Sequence, residues 1–174
     1  VEILSLIEQF QFYFLDDSRW QFIVSGLKNT IIITFFAVLL GVFLGFLIAI
    51  VRSTHDKTGK LKILNVICRV YLTVIRGTPT MVQLLIVYYV IFATVDPGKV
   101  IVAIIAFGMN SAAYVAEIVR SGIMSIDQGQ FEAGRSLGLN YTQTMTKIIL
   151  PQAVKNILPA LGNEMIVLLK ETSI

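Results

Sequence analysis

The sequence predicts an all-α polytopic membrane protein, and three observations carry that assignment. Hydrophobic residues make up 56% of the chain and charged residues only 14%, with a mean hydropathy of +0.79, whereas soluble domains carry about 25% charged residues. Uncharged runs reach the roughly 20 residues that a helix needs to cross a hydrocarbon core about 30 Å thick. The basic residues gather between the apolar runs while the net charge is only +3. This pattern suits the positive-inside rule and gives no reason to expect nucleic-acid binding. Cys68 and His55 are each the only residue of their type, so no metal site, disulfide framework or catalytic group is expected. No G-x-x-x-x-G-K-[ST] phosphate loop occurs, so any ATP chemistry has to lie in another chain.

Residues 1–28 mix acidic positions with Phe12, Tyr13, Phe14 and Trp20. They read either as an interfacial segment, since aromatic rings favour the headgroup level, or as a disordered leader. Ile31 to Val51 carries no charge and defines a first span at about 30–51, with Gly41 and Gly45 spaced for close helix approach. Then Arg52, Lys57, Lys60, Lys62, Arg69 and Arg76 stand against Asp56 alone. That excess places residues 52–76 in the cytoplasm and the N-terminus outside. Leu64, Ile67, Val70, Tyr71 and Val74 recur at helical spacing, as in an amphipathic interfacial helix or a long entry to the next span. Arg76-Gly77-Thr78-Pro79 breaks the pattern, with Thr78 as a cap and Pro79 in the first turn of a second span at about 79–95. Gln83 inside it is either an interhelix hydrogen bond or a lining of a path. Asp96 to Lys99 is a turn, and a third span follows at about 100–122. Its small polar half around Asn110, Ser111, Ala112 and Ala113 is expected to pack against another helix. Glu117 and Arg120 are spaced to pair.

The polar segment 127–151 then falls in the cytoplasm. Asp127 with Gln130 resembles a capping box, Gly138 suits a left-handed C-terminal cap, and Asn140 with Gln143 caps a second helix reaching Leu150. Phe131 and Leu137 are the expected anchors of the first helix. Glu132-Ala133-Gly134, then Gly138, then Ile148-x-Leu150-Pro151 resembles the EAA motif of permease subunits in bacterial ABC importers. One position departs, because Gly134 stands where the second alanine is usual, a change expected to loosen that helix. The resemblance implies a type I importer permease fold with about four transmembrane helices present of an expected five. It also implies a cytoplasmic coupling helix that docks on an ATPase through Glu132, Ala133, Gly134, Arg135, Gly138, Ile148, Leu150 and Pro151. Arg76-Gly77-Thr78-Pro79 with Gln83, and Asn163-Glu164 with the Leu168 to Ser173 stretch, look like the polar amino acid uptake branch of that family.

A fourth span is expected at about 156–174, and a further C-terminal span is expected beyond the residues given. Ionisable residues inside a span are costly and point to function. The resemblance places Asn163 and Glu164, with Gln83, on the substrate path; pairing with each other or with a neighbouring subunit is the competing reading. The partners it implies are a cytoplasmic ABC ATPase dimer using ATP and Mg, a second permease copy (identical or similar), and an extracellular or periplasmic amino-acid-binding protein. The expected location is the bacterial inner membrane. The rival readings are a permease for another small solute and an ion-gradient-driven secondary transporter.

Overall fold

Helix α1 spans Trp20–Thr58, 39 residues or about 58 Å at the usual rise, well beyond a bilayer core of about 30 Å. Gly59 ends it at φ 65, its N–H donating to the His55 carbonyl. The expected first span at 30–51 is thus the middle of a longer rod, because nothing between Trp20 and Thr30 interrupts helical backbone. The computed structural model describes residues 8–9, 11–15, 18–95 and 97–173. Glu2, Asp16, Asp17 and Asp96 lie outside them. Before α1 the described residues include one wide π-helical turn, Gln11–Leu15.

Helix α2 (Lys62–Gly77) is the amphipathic helix expected from the spacing. It buries Asn65 and Leu72 and leaves Ile63, Val66, Ile67, Val70 and Val74 exposed. Helix α3 (Thr80–Ile86) continues in a π-helical turn to Ile91 and departs from α2 at 112°. Pro79, extended at ψ 138, is the boundary residue, as proline's restriction on its neighbour requires. Thr78 does not cap α3; its hydroxyl donates back to the Val74 carbonyl at 2.8 Å.

Helix α4 (Lys99–Met124) is the axis of the molecule. Val102, Ala106, Phe107, Asn110, Ser111, Ala112, Ala113, Val115, Ala116 and Val119 are all buried. Its small residues let α1 come close: a Cβ on Gly41 would stand 2.7 Å from Ser111 Cβ, and one on Gly45 2.7 Å from Val115 Cβ. The G-x-x-x-G spacing therefore serves the α1–α4 contact.

Helix α5 (Gln128–Ser136), helix α6 (Tyr141–Thr144) with its π-helical turn to Ile149, and helix α7 (Leu150–Glu171) complete the order. The sequence suggested a stop at Leu150. Instead helical backbone runs from Tyr141 to Glu171, with Pro151 in the first turn of α7 and Pro159 inside it. The wide turn before Pro151 sits where a proline interrupts the regular ladder of hydrogen bonds.

Among the described residues there is no strand. Two helices, Trp20–Asp56 and Lys99–Met124, are long and apolar enough to cross a membrane alone, and the bent pair α2–α3 adds a third only if counted as one span. The expected count of four is not reproduced on that measure. The second span, expected at 79–95, amounts to Thr80–Ile91, about 18 Å of helix. The last, expected at 156–174, begins earlier, at Leu150, and carries Asn156, Asn163, Glu164 and Lys170.

Candidate functional site

The polar segment folds into a corner held by its own caps. Asp127 Oδ1 accepts from the Gly129 N–H at 2.6 Å. Gln130 does not complete a capping box; its side-chain oxygen accepts from Gln152 Nε2 at 3.3 Å, tying α5 to α7. At the other end the Gly138 N–H donates to the Arg135 carbonyl and the Leu139 N–H to the Gly134 carbonyl, with Gly138 at φ 74. That pair of bonds is the Schellman closure, which calls for glycine at the left-handed position. Two residues later Asn140 and Gln143 form a complete capping box at 2.9 Å in both directions.

Gly134 is where α5 touches α6. It is buried, and a Cβ there would stand 2.5 Å from Thr144 Cγ2 and 2.7 Å from Thr144 Oγ1. The departure from alanine thus permits close packing rather than loosening the helix. Glu132, Ala133 and Arg135 face outward, exposed. Leu137 is 76% exposed, so it is not an anchor, while Phe131 is partly buried. In Ile148-Ile149-Leu150-Pro151 the unassigned position is the core residue: Ile149 is fully buried, with Ile148 partly buried and Leu150 and Pro151 exposed.

Beside the corner, the two long helices α4 and α7 are fastened to each other. Ser125 Oγ accepts from Asn156 Nδ2 at 2.8 Å. A Cβ on Gly122 would stand 2.3 Å from Ile157 Cγ1, so α4 and α7 meet there without space between them. Val115, Val119, Ala153, Ile157 and Ala49 form the adjoining core. α4 and α7 are therefore packed as one body at this end, and α5 is tied to α7 by the Gln130–Gln152 contact and through the segment 141–149 that runs into it.

The second polar feature lies at the α2–α3 elbow. Gln83, 8% exposed, donates from Nε2 to the Ile75 carbonyl (2.7 Å), the Thr78 carbonyl (2.9 Å) and Thr78 Oγ1 (2.8 Å). Its Oε1 accepts from Asn110 Nδ2 at 3.0 Å. Gln83 thus satisfies backbone carbonyls freed by the break, which buried backbone requires, and binds the elbow to α4. Asn110 continues toward Thr80 Oγ1 at 3.5 Å.

On α7, Asn163 is exposed and Glu164 is partly buried. Glu164 lies beside Ser111 and Glu171, although the buried Ser111 hydroxyl has no partner within hydrogen-bonding distance. Gln83 meets Asn110 on α4, and Glu164 lies near the adjacent Ser111. Glu171, to which the sequence assigned no path role, lines a cavity of about 230 Å³ with Pro79, Thr80, Met81, Leu84 and Phe107. Its seven-residue separation from Glu164, two turns along one helix face, was the available signal. Thr34 and Thr172 share a hydrogen bond at 2.9 Å that fastens the end of α7 to α1.

The expected Glu117–Arg120 pair exists at 4.0 Å but belongs to a larger node. Glu117 lies 3.6 Å from Arg76 and 3.7 Å from Arg52, and Arg120 lies 3.5 Å from Asp56.

The chain thus combines long apolar helices with a self-capped polar corner. Residues 41–174 match the family described as the inner membrane component of binding-protein-dependent transport systems, and the chain belongs to that family. Its relatives include the arginine transport system permease protein ArgU of Corynebacterium glutamicum, 38% identical over 92% of this chain and 53% of that protein. The putative glutamine transport system permease protein GlnP of Rickettsia prowazekii is 39% identical, over 88% and 69%. The L-cystine transport system permease protein TcyB of Bacillus subtilis is 37% identical, over 92% and 67%. The chain thus spans about half the length of the first and about two thirds of the other two. A solved amino acid ABC transporter with histidines aligns with a TM-score of 0.79 at 40% identity, over 99% of this chain and 74% of that one. The inward-facing MetNI methionine ABC transporter aligns at 0.71 with 20% identity, over 90% and 74%, a likeness of fold alone.

Proposed function

We propose that this chain is the permease subunit of an ATP-driven amino acid importer in a bacterial inner membrane, with its N-terminus outside. The observation that carries the reading is the corner. It has an EAA-like spacing, its exposed Glu132, Ala133 and Arg135 stand on a helix capped at both ends, and it is tied to α7 through Gln130–Gln152 and the continuous helical backbone after Tyr141. Such a piece suits docking on a cytoplasmic ATPase dimer, which would hold the ATP and Mg. Closure of that dimer would push α5, and α4 and α7 would follow as one body. A second permease copy, identical or similar, would complete the passage, and an external binding protein would deliver the substrate. ATP can drive such a change only if the nucleotide-bound partner favours one arrangement of the helices over the other.

Arginine, glutamine and cystine, named for the relatives, share the α-ammonium and α-carboxylate and differ in their side chains. Glu164, and Glu171 with it, supply carboxylates suited to the ammonium, with the exposed Asn163 beside them. Gln83 acts one step removed by holding the elbow that shapes the wall. The test is reconstitution of the full-length protein with its ATPase and binding protein, reading amino-acid-stimulated ATP hydrolysis and uptake. Glu132→Lys, an exposed change, should cut uptake at least tenfold and leave membrane insertion intact. Gly138→Pro, which forbids the positive φ, should do the same. Uptake that persists without the ATPase, or that ignores both substitutions, defeats the reading.

A further inference from the structure

We infer that the cleft between α1, α2 and α4 is a binding site for an anionic phospholipid. Arg52, Arg69 and Arg76 line an open cup of about 440 Å³ with Leu72, Thr73 and Glu117, so three cationic residues stand against one carboxylate. Glu117 is shared between two of them, so the cup keeps a net positive charge. Arg52 and Arg76 approach Glu117 only to 3.7 and 3.6 Å, longer than a direct hydrogen bond. Arg52 Nε is buried with no hydrogen-bond partner, and Arg69 makes no ion pair among the described residues. Guanidinium groups suit phosphate oxygens, which they engage in pairs.

The neighbouring face of α2 explains why the anion should carry acyl chains. At 100° per residue, Arg69, Thr73 and Arg76 form one stripe, and Val66, Val70 and Val74 form the stripe beside it. The valines are 58, 58 and 53% exposed, and no other part of the described chain covers them. A soluble anion would have no use for that stripe. A phospholipid with a net negative headgroup answers both features, with phosphate in the cup and an acyl chain along Val66, Val70 and Val74. Basic pockets on the cytoplasmic side of membrane helices bind such headgroups. The inference requires the basic loop to be cytoplasmic but does not depend on what the protein transports.

The test uses the assembled transporter in neutral detergent with equal phosphatidylglycerol and phosphatidylcholine, and native mass spectrometry to count retained lipids. The wild type should retain phosphatidylglycerol preferentially, and Arg69→Gln should lower that retention about fivefold, as expected for one basic residue. Lys155→Gln, a cytoplasmic cation outside the cup, should change nothing. A thermal midpoint unchanged in Arg69→Gln would establish that the variant is folded. A tryptophan placed by Val70→Trp in a Trp20→Phe background should be quenched more by brominated phosphatidylglycerol than by brominated phosphatidylcholine. Equal retention in all three proteins overturns the inference. So does displacement of the lipid by millimolar inorganic phosphate, which would mark a soluble-anion site, or an absence of quenching, which would mark a stripe covered by protein.

Discussion

The corner at 127–151 and the polar seam around Gln83 are both built of polar residues, yet they are made in opposite ways. The corner closes itself with hydrogen bonds between residues two to five apart, such as Gly129 to Asp127, Gln143 to Asn140 and Leu139 to Gly134. The seam adds to Gln83's bonds with Thr78 and Ile75, five and eight positions away, a bond between helices: Asn110 to Gln83 across 27 positions. A part closed by local bonds keeps its shape when the helices around it move. A part assembled from several helices must change when they do. That division suits a device in which one region receives force and the other responds to it.

Overpacking the corner should produce the largest effect and most directly break the comparison. Gly134→Val places side-chain carbon where Thr144 Cγ2 and Oγ1 lie within 2.7 Å of the first added atom. Inserting atoms into a filled contact costs about 1–3 kcal/mol, and we expect the upper end because both backbones are fixed by caps. The measurement is thermal unfolding in detergent, with Thr144→Ala added to Gly134→Val as the control. Partial recovery in the double variant is expected. If Gly134→Val is as stable as the wild type, the corner is not rigid and the contrast with the seam fails.

The same contrast explains what could be read from the sequence. Gly138, Asn140 with Gln143, and Asp127 announced themselves because caps are short-range chemistry. Gly41 and Gly45 were visible as a spacing, and the amphipathic α2 as a period. An interhelix hydrogen bond was one of the two readings of Gln83, and its bond to Asn110 is one; its grip on the Ile75 and Thr78 carbonyls was not visible, because these are freed only once the chain bends by 112°. Leu137 was misread as an anchor because hydrophobicity does not tell which side of a two-turn helix meets protein. Gly134 was misread as a weakness because its neighbour, Thr144, is ten residues away and across a corner. The continuation through Pro151 was hidden because a widened turn can accommodate a proline that a regular α-helix would not.

A substitution in the seam should have the next effect. Gln83→Leu keeps the volume and removes the amide, leaving the Ile75 and Thr78 carbonyls without their donor and Asn110 Nδ2 without Gln83 Oε1. Unpaired buried polar groups cost about 1–3 kcal/mol. The loss should appear as a lower thermal midpoint and as faster amide exchange around Arg76 to Met81. Exchange at Gln128 to Gly138 should stay unchanged, because the corner is closed by its own bonds. If protection at the corner falls together with that at the elbow, the two regions are one cooperative unit.

The smallest effect is reserved for the reverse experiment. Asn140→Ala deletes the acceptor of the Gln143 N–H at 2.9 Å and leaves Gln143 Oε1 still able to accept from the residue 140 N–H. Loss of such a cap costs about 1 kcal/mol. Because α6 runs on into α7, the loss should be confined to the first turn, Tyr141 to Thr144. The Schellman closure at Gly138 and the buried Ile149 hold the segment on either side. Amide exchange should therefore quicken at Gln143 and Thr144 while Gln83 and Asn110 keep their wild-type protection. A spread of the effect into the Gln83–Asn110 contact would mean that the corner's caps already set the geometry of the seam at rest. The corner would then act on the membrane helices continuously, and not only when a partner pushes it.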